Sequence, residues 1–182
     1  MPTTTYAHFR DVPESAWRWP SFSPAEIACR GTGAIKINTE AMDKLQSLRH
    51  RLGKPLIVRS GYRSPSHNRA VGGAPASKHM QATAFDIAMA NHDPVAFEAA
   101  AREVGFLGFG FYPRSGFIHV DLGPARQWGE RFPVRATAFA AETPPDLARL
   151  ALSLGYFDQA HFQKAFRKMT GKSPGTYARP SR

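Results

Sequence analysis

Apolar positions along this chain alternate between two periods. Over residues 38–52 (NTEAMDKLQSLRHRL), Met42, Leu45, Leu48 and Leu52 recur at helical spacing. This predicts a helix capped by Asn38 or Thr39 and ended by Gly53. KPLIVRS (54–60) then reads as a short buried strand. In residues 82–89 the period falls to two, with Phe85, Ile87 and Met89 on one side and Ala84, Asp86 and Ala88 on the other. Residues 93–105 return to helix, with Asp93 as cap, Pro94 at the first position and Gly105 at the end. GFIHVDLG (116–123) alternates again: Phe117, His119 and Asp121 share one face, and Ile118, Val120 and Leu122 the other. Residues 61–80, rich in Gly, Pro, Ser and Asn, read as a long ordered loop, a length usually tied to function.

Both alternating strands put a potential ligand on the face opposite their aliphatic residues. His79 stands at the end of the loop, Asp86 on the first strand and His119 on the second. A buried carboxylate needs a partner, and two imidazoles with one carboxylate leave the open fourth position of a catalytic zinc site. Taken singly, a strand histidine is more often a hydrogen-bonded structural residue, and a strand aspartate can cap a turn. Those readings stand beside the metal one.

Composition narrows the class. The 182 residues suit one medium domain with a small appendage, large enough to bury a core without disulfides. The single cysteine, Cys29, cannot form an internal bridge. The first residues lack the basic and apolar regions of a secretory signal, and no run of about 18 apolar residues occurs. The chain is therefore expected to be made in the cytoplasm, without a membrane span, as a monomer. An action on the cell wall would require delivery by lysis or by a phage-like particle. A formal charge of +10 favours polyanions, whether nucleic acid, wall polymer or a membrane surface.

Three stretches, SGYRSPSHN (60–68), VGGAPASKHMQATAFDI (71–87) and GFGFYPRSGFIHVDLGPARQW (108–128), resemble the zinc-dependent D-Ala-D-Ala peptidases. That family includes carboxypeptidases, murein endopeptidases and endolysins. The resemblance spans roughly residues 22–130. It implies an α+β architecture, the hedgehog/DD-peptidase-like antiparallel sheet with flanking helices. It further implies Zn²⁺ held by His79, Asp86 and His119, and peptidoglycan stem peptides as substrate. Ser77, His79, Ala84 and Asp86 fill the S-x-H-x-x-G-x-A-x-D pattern, whose glycine is Ala82 here. A methyl group there is tolerable where φ is negative and otherwise tightens or distorts the metal loop. Many relatives place a Glu or His just before the second metal histidine, where this chain has Ser115, Gly116 and Phe117. Asp121, on the same strand face as His119, is the substitute expected as general base; its alternative role is to orient a ligand histidine. Arg63 is expected to stabilise an oxyanion or grip a carboxylate, or else to brace a turn. Ser77 would bond a substrate terminus or serve as a turn residue. Asn68 and Tyr62 are expected to hold the loop together, and His67 and His92 to be solvated. Trp128 and Arg126 would line the cleft, or Trp128 would lid the core.

Residues 131–146 lose periodicity and read as a linker between a 1–130 domain and a small all-α segment, 147–182. There Leu147, Leu150, Ala151 and Leu154 form one helical stripe, and Phe162, Phe166 and Met169 a second. LALSLGYFDQAHFQKAFRKMTGKSP resembles the second helix-turn-helix of AraC-type regulators, without the first. That resemblance implies weak nucleic-acid binding through Gln159, His161, Gln163, Lys164, Arg167 and Lys168. The alternative is a helical hairpin that packs on the larger domain. Three functions follow: a zinc peptidase of the wall, a DNA-binding regulator with a degenerate sensor, or a non-catalytic wall-binding module. The intact His79, Asp86 and His119 set favours the first.

Overall fold

A computed structural model of the chain describes residues 3–133, and Arg167 by itself. The remaining residues of the predicted helix-turn-helix, and most of the predicted linker, lie outside the described residues. Contacts divide the chain at Pro133 and Val134 into two units.

A two-stranded sheet pairs β1 (Thr3–Tyr6) with β2 (Ile35–Asn38), and a short helix α1 (Pro24–Ile27) lies between them in sequence. Helix α2 (Thr39–Leu52) starts where Asn38 Oδ1 accepts from Ala41 N at 3.0 Å and stops at Gly53, whose φ of 63° few other residues adopt readily. The main sheet has the order β3-β4-β6-β5-β7, from β3 (Val58–Ser60), β4 (Ala84–Ala88), β5 (Gly108–Tyr112), β6 (Phe117–Asp121) and β7 (Arg126–Gly129). Its pairs are antiparallel except β5–β7, which is parallel. Helix α4 (Pro94–Glu103) is capped by Asp93, which accepts from Ala96 N at 2.8 Å. The segment expected to be loop contains helix α3 (Pro65–Ala70) and a 3-10 turn, Lys78–Gln81.

One face of the sheet is the core. Phe85, Ile87, Phe109, Phe111, Ile118 and Val120 pack into one cluster with Met42, Leu45 and Leu48 of α2 and Phe97 and Ala101 of α4. The period of two in β4 and β6 leaves their other face free for chemistry. The unit closes at residues 131–133: Phe132 packs against the core, and Arg131 pairs with Glu98 of α4. His92, expected on the surface, is buried, because its Nε2–H donates to Pro55 O at 2.9 Å.

Candidate metal centre

Strand register builds the site. Asp86 of β4 lies opposite His119 of β6, and Ala84 opposite Asp121. On the other side of β6, Gly110 faces His119 and Gly108 faces Asp121. Those glycines make room. A Cβ at Gly108 would strike the Asp121 carboxylate, and one at Gly110 would lie 2.6 Å from the Trp128 ring. The Gly-Phe-Gly-Phe run of β5 thus sends its phenylalanines to the core and leaves space on the other face for larger groups. That alternation is the sequence signal by which β5 was findable.

Three ligand atoms converge. His79 Nε2 lies 3.2 Å from Asp86 Oδ1 and 3.2 Å from His119 Nδ1, while His119 Nδ1 lies 2.9 Å from Asp86 Oδ1. All three residues are buried. Zinc held at about 2.0–2.1 Å in a tetrahedron spaces its ligand atoms by about 3.3 Å, close to this triangle. The tautomers suit it as well. His79 Nδ1–H donates to Gly61 O at 2.6 Å, and His119 Nε2–H donates to Asp121 Oδ2 at 2.9 Å. The opposite nitrogen of each ring is therefore the one aimed at the shared point. The residues fit a metal of zinc's kind, with a fourth position left for another ligand.

The electrostatics of the three residues agree. Burial pushes the His79 pKa down and outweighs the nearby Asp86 charge, keeping that ring neutral. Burial also lowers His119, but its bonds to Asp121 and Asp86 outweigh burial and push its pKa up. Asp86 is raised by burial and lowered more strongly by hydrogen bonds from His119 and His79, ending well below the carboxylate range.

Asp121 does not line the cleft. It is fully buried and lies behind His119, on the side away from the three converging atoms. Its oxygens are fully engaged: Oδ2 accepts from His119 and from Arg126 Nη2 at 2.7 Å, and Oδ1 from Gly123 N at 2.6 Å and Arg126 Nη1 at 3.0 Å. Burial raises its pKa, yet the bonds from His119 and Arg126 hold it at about 2. A carboxylate so placed is positioned to orient the His119 imidazole, with both oxygens already engaged by donors. Arg63 also has a defined bond: Nη2 reaches Asp86 Oδ2 at 2.5 Å and Nε reaches Ser60 Oγ at 2.8 Å. It leaves Asp86 Oδ1 alone to face the histidines.

These groups sit in a cleft of about 550 Å³. The loop 71–78 forms one wall, including Ser77, whose side chain makes no capping bond. Tyr112, Phe117 and Trp128 form the other. Trp128 Nε1–H donates to Tyr112 Oη at 2.9 Å, and the Tyr112 and Phe117 rings stack at 4.5 Å. Trp128 lies 5.2 Å from the His119 ring, so it lines the site rather than the core. Tyr112 was not singled out in the sequence. Its place on the site face follows from Gly108 and Gly110, two and four positions earlier on β5. Among the described residues lining the cleft, no carboxylate or imidazole stands outside the converging three.

The loop carries one irregularity. Ala82, in the position of the family glycine, has φ of 56° and is buried. The conformation is left-handed, the second of the two cases, and strains a residue that carries a Cβ. Asn68 and Tyr62 are buried beneath the loop, with Asn68 Nδ2 donating to Ala74 O at 2.9 Å.

An α+β sheet bearing a His-Asp-His cluster in an open cleft defines a metallohydrolase-like chain. The chain belongs to the Peptidase M15 family, whose profile matches residues 20–121. It is 41% identical over 91 residues to the zinc D-Ala-D-Ala carboxypeptidase of Streptomyces albus G, covering 48% of this chain and 36% of that protein. It is 38% identical over 104 residues to the peptidoglycan L,D-endopeptidase MepK of Escherichia coli K12, covering 50% and 54% respectively. A probable MepK of Haemophilus influenzae is 33% identical over 101 residues, covering 51% and 54%. The chain thus aligns with about half or less of the length of these curated relatives.

Proposed function

We propose that this chain is a zinc-dependent peptidase that hydrolyses peptide bonds in peptidoglycan stem peptides. The observation that carries this reading is the convergence of His79 Nε2, Asp86 Oδ1 and His119 Nδ1 within 3.2 Å of one another at the floor of the cleft. Relatives named as a zinc D-Ala-D-Ala carboxypeptidase and a peptidoglycan L,D-endopeptidase support the metal and the substrate class.

His79, Asp86 and His119 would hold the ion. When bound, zinc supplies Lewis acidity, polarising an amide carbonyl and acidifying water. The chain's own residues prepare that chemistry. Gly61 O and Asp121 keep the two imidazoles in the ligating tautomer, and Arg63 holds the second oxygen of Asp86. Tyr112 accepts from Trp128, which leaves its own hydroxyl proton available to a substrate carbonyl in the cleft. The Ser77 hydroxyl is available to a peptide group on the opposite wall. Two facing walls would hold the peptide in one orientation, which lowers the entropic part of the barrier.

The test is digestion of purified peptidoglycan, with products read by mass spectrometry, by chelated protein before and after addition of Zn²⁺. Zinc-restored release of stem-peptide fragments is expected, and product masses separate a terminal trim from a cross-link cut. A folded, zinc-loaded protein that releases nothing would sink the proposal. The DNA-binding reading rests on residues that, Arg167 apart, lie outside those described, and no observation on the first unit favours it.

A further inference from the structure

Three cationic side chains line the cleft: Arg63, Lys78 and Arg126. Two are already matched. Arg63 is paired with Asp86 at 2.5 Å and Arg126 with Asp121 at 2.7 Å. Lys78 forms no ion pair among the described residues; its ammonium donates to the neutral Gln81 Oε1 at 3.1 Å. An ammonium has three donors, so one amide leaves most of its capacity and all of its charge unmatched.

The position of Lys78 is built rather than incidental. It is the first residue of the 3-10 turn that carries His79, so its backbone is fixed by the metal loop. Its stem runs over Gly123, where an added Cβ would lie 3.0 Å from Lys78 Cε, 2.6 Å from Arg126 Nη1 and 2.7 Å from Asp121 Oδ1. The bare backbone at Gly123 leaves room for the lysine stem beside the Arg126–Asp121 pair. Among the described residues, the cleft lining holds no carboxylate besides Asp86 with which Lys78 could pair.

We propose that Lys78 is a specificity-determining residue that binds a free carboxylate on the substrate, next to the bond at the metal centre. The inference rests on the peptidase reading and narrows it. The preferred peptide carries an ionised carboxylate beside the scissile amide, and its amidated counterpart is a poorer substrate. A charge-assisted hydrogen bond within the cleft is strong enough to separate the two by about tenfold or more.

The test uses one synthetic stem peptide in two forms, with its side-chain and terminal carboxylates free or amidated. Hydrolysis by the zinc-loaded full chain gives kcat/KM for each, and calorimetry on the chelated full chain gives Kd for each. Wild type is expected to favour the free acid about tenfold in both readouts. Lys78→Met keeps the stem over Gly123 and should bring both ratios near one, and Lys78→Arg should restore most of the preference. Equal treatment of the two peptides by wild type would overturn the inference, even with brisk hydrolysis. An unchanged ratio in Lys78→Met would overturn it too. Failure of the zinc-loaded wild type to cut either peptide would instead sink the peptidase reading, and the inference about substrate choice with it.

Discussion

The two faces of β4, β6 and β5 are built from the same alternating positions and could hardly differ more in content. One carries Phe85, Ile87, Ile118, Val120, Phe109 and Phe111, every one in the core cluster. The other carries Asp86, His119, Asp121 and Tyr112, with Ala84, Gly108 and Gly110 between them as space. The first face stabilises the fold by removing apolar area from water. The second gathers buried charge, which opposes folding unless every group is paired, and here each carboxylate has an arginine as well as a histidine. Fold and chemistry are thus assigned to opposite sides of one sheet.

The largest effects should pull the two faces apart. His79→Ala should lower kcat/KM on stem peptide by at least about a thousandfold while the protein stays folded. Phe109→Ala, at a position with no exposure, should lower unfolding free energy by about 3–5 kcal/mol. The folded fraction of that variant should still bind zinc. Denaturant titration and a zinc competition assay on both variants would check this, and a His79→Ala protein as unstable as Phe109→Ala would break the division.

Next in size is the tautomer support. Asp121→Asn should weaken zinc binding by about 10–100-fold, read by competition with a chromophoric chelator. A general base lost without change in metal affinity would instead leave that binding constant alone and lower turnover.

Ala82→Gly should be milder and favourable. Releasing a Cβ at φ of 56° should raise stability by about 1 kcal/mol, seen as a higher melting temperature. An unchanged or lower melting temperature would mean that the loop is not strained there.

The smallest effect lies where the faces meet at an edge. Glu98 of α4 bonds Arg102 and Arg131, and Gln127 of β7 joins both arginines, steadying the strand that carries Trp128. Burial raises the Glu98 pKa, but the bonds from Arg131 and Arg102 outweigh it and hold the group below its usual range. Its contribution is therefore present above the unfolded carboxylate pKa and is lost as pH falls through the lowered folded value. Melting temperatures should decline more gently on that acid limb in Glu98→Gln than in wild type.

Much of this was legible in the chain. The period of two in 82–89 and 116–123 placed Asp86, His119 and Asp121 on one face, because alternation in a strand translates directly into sidedness. Helices α2 and α4 announced themselves through Asn38, Gly53, Asp93 and Pro94. Strand β5 shows apolar residues only at every second position with glycine between them, a weak signal, and β7 is short and mostly polar. The role of Asp121 was also beyond reach, although both of its readings could be stated. Sharing a face with His119 shows that the two can touch; only the hydrogen bonds show that Asp121 lies behind the ring, closed off by Arg126 and Gly123. His92 was misjudged because its acceptor is a backbone carbonyl of a distant turn, Pro55, which no local pattern reveals.

The most direct test of the zinc centre is X-ray absorption at the zinc edge on the loaded full chain. One zinc per chain is predicted, with only nitrogen and oxygen ligands at about 2.0–2.1 Å, two of them imidazoles, and one imidazole fewer in His119→Ala. A sulfur ligand at about 2.3 Å would move the metal to Cys29, and zinc bound without imidazole would contradict the account outright.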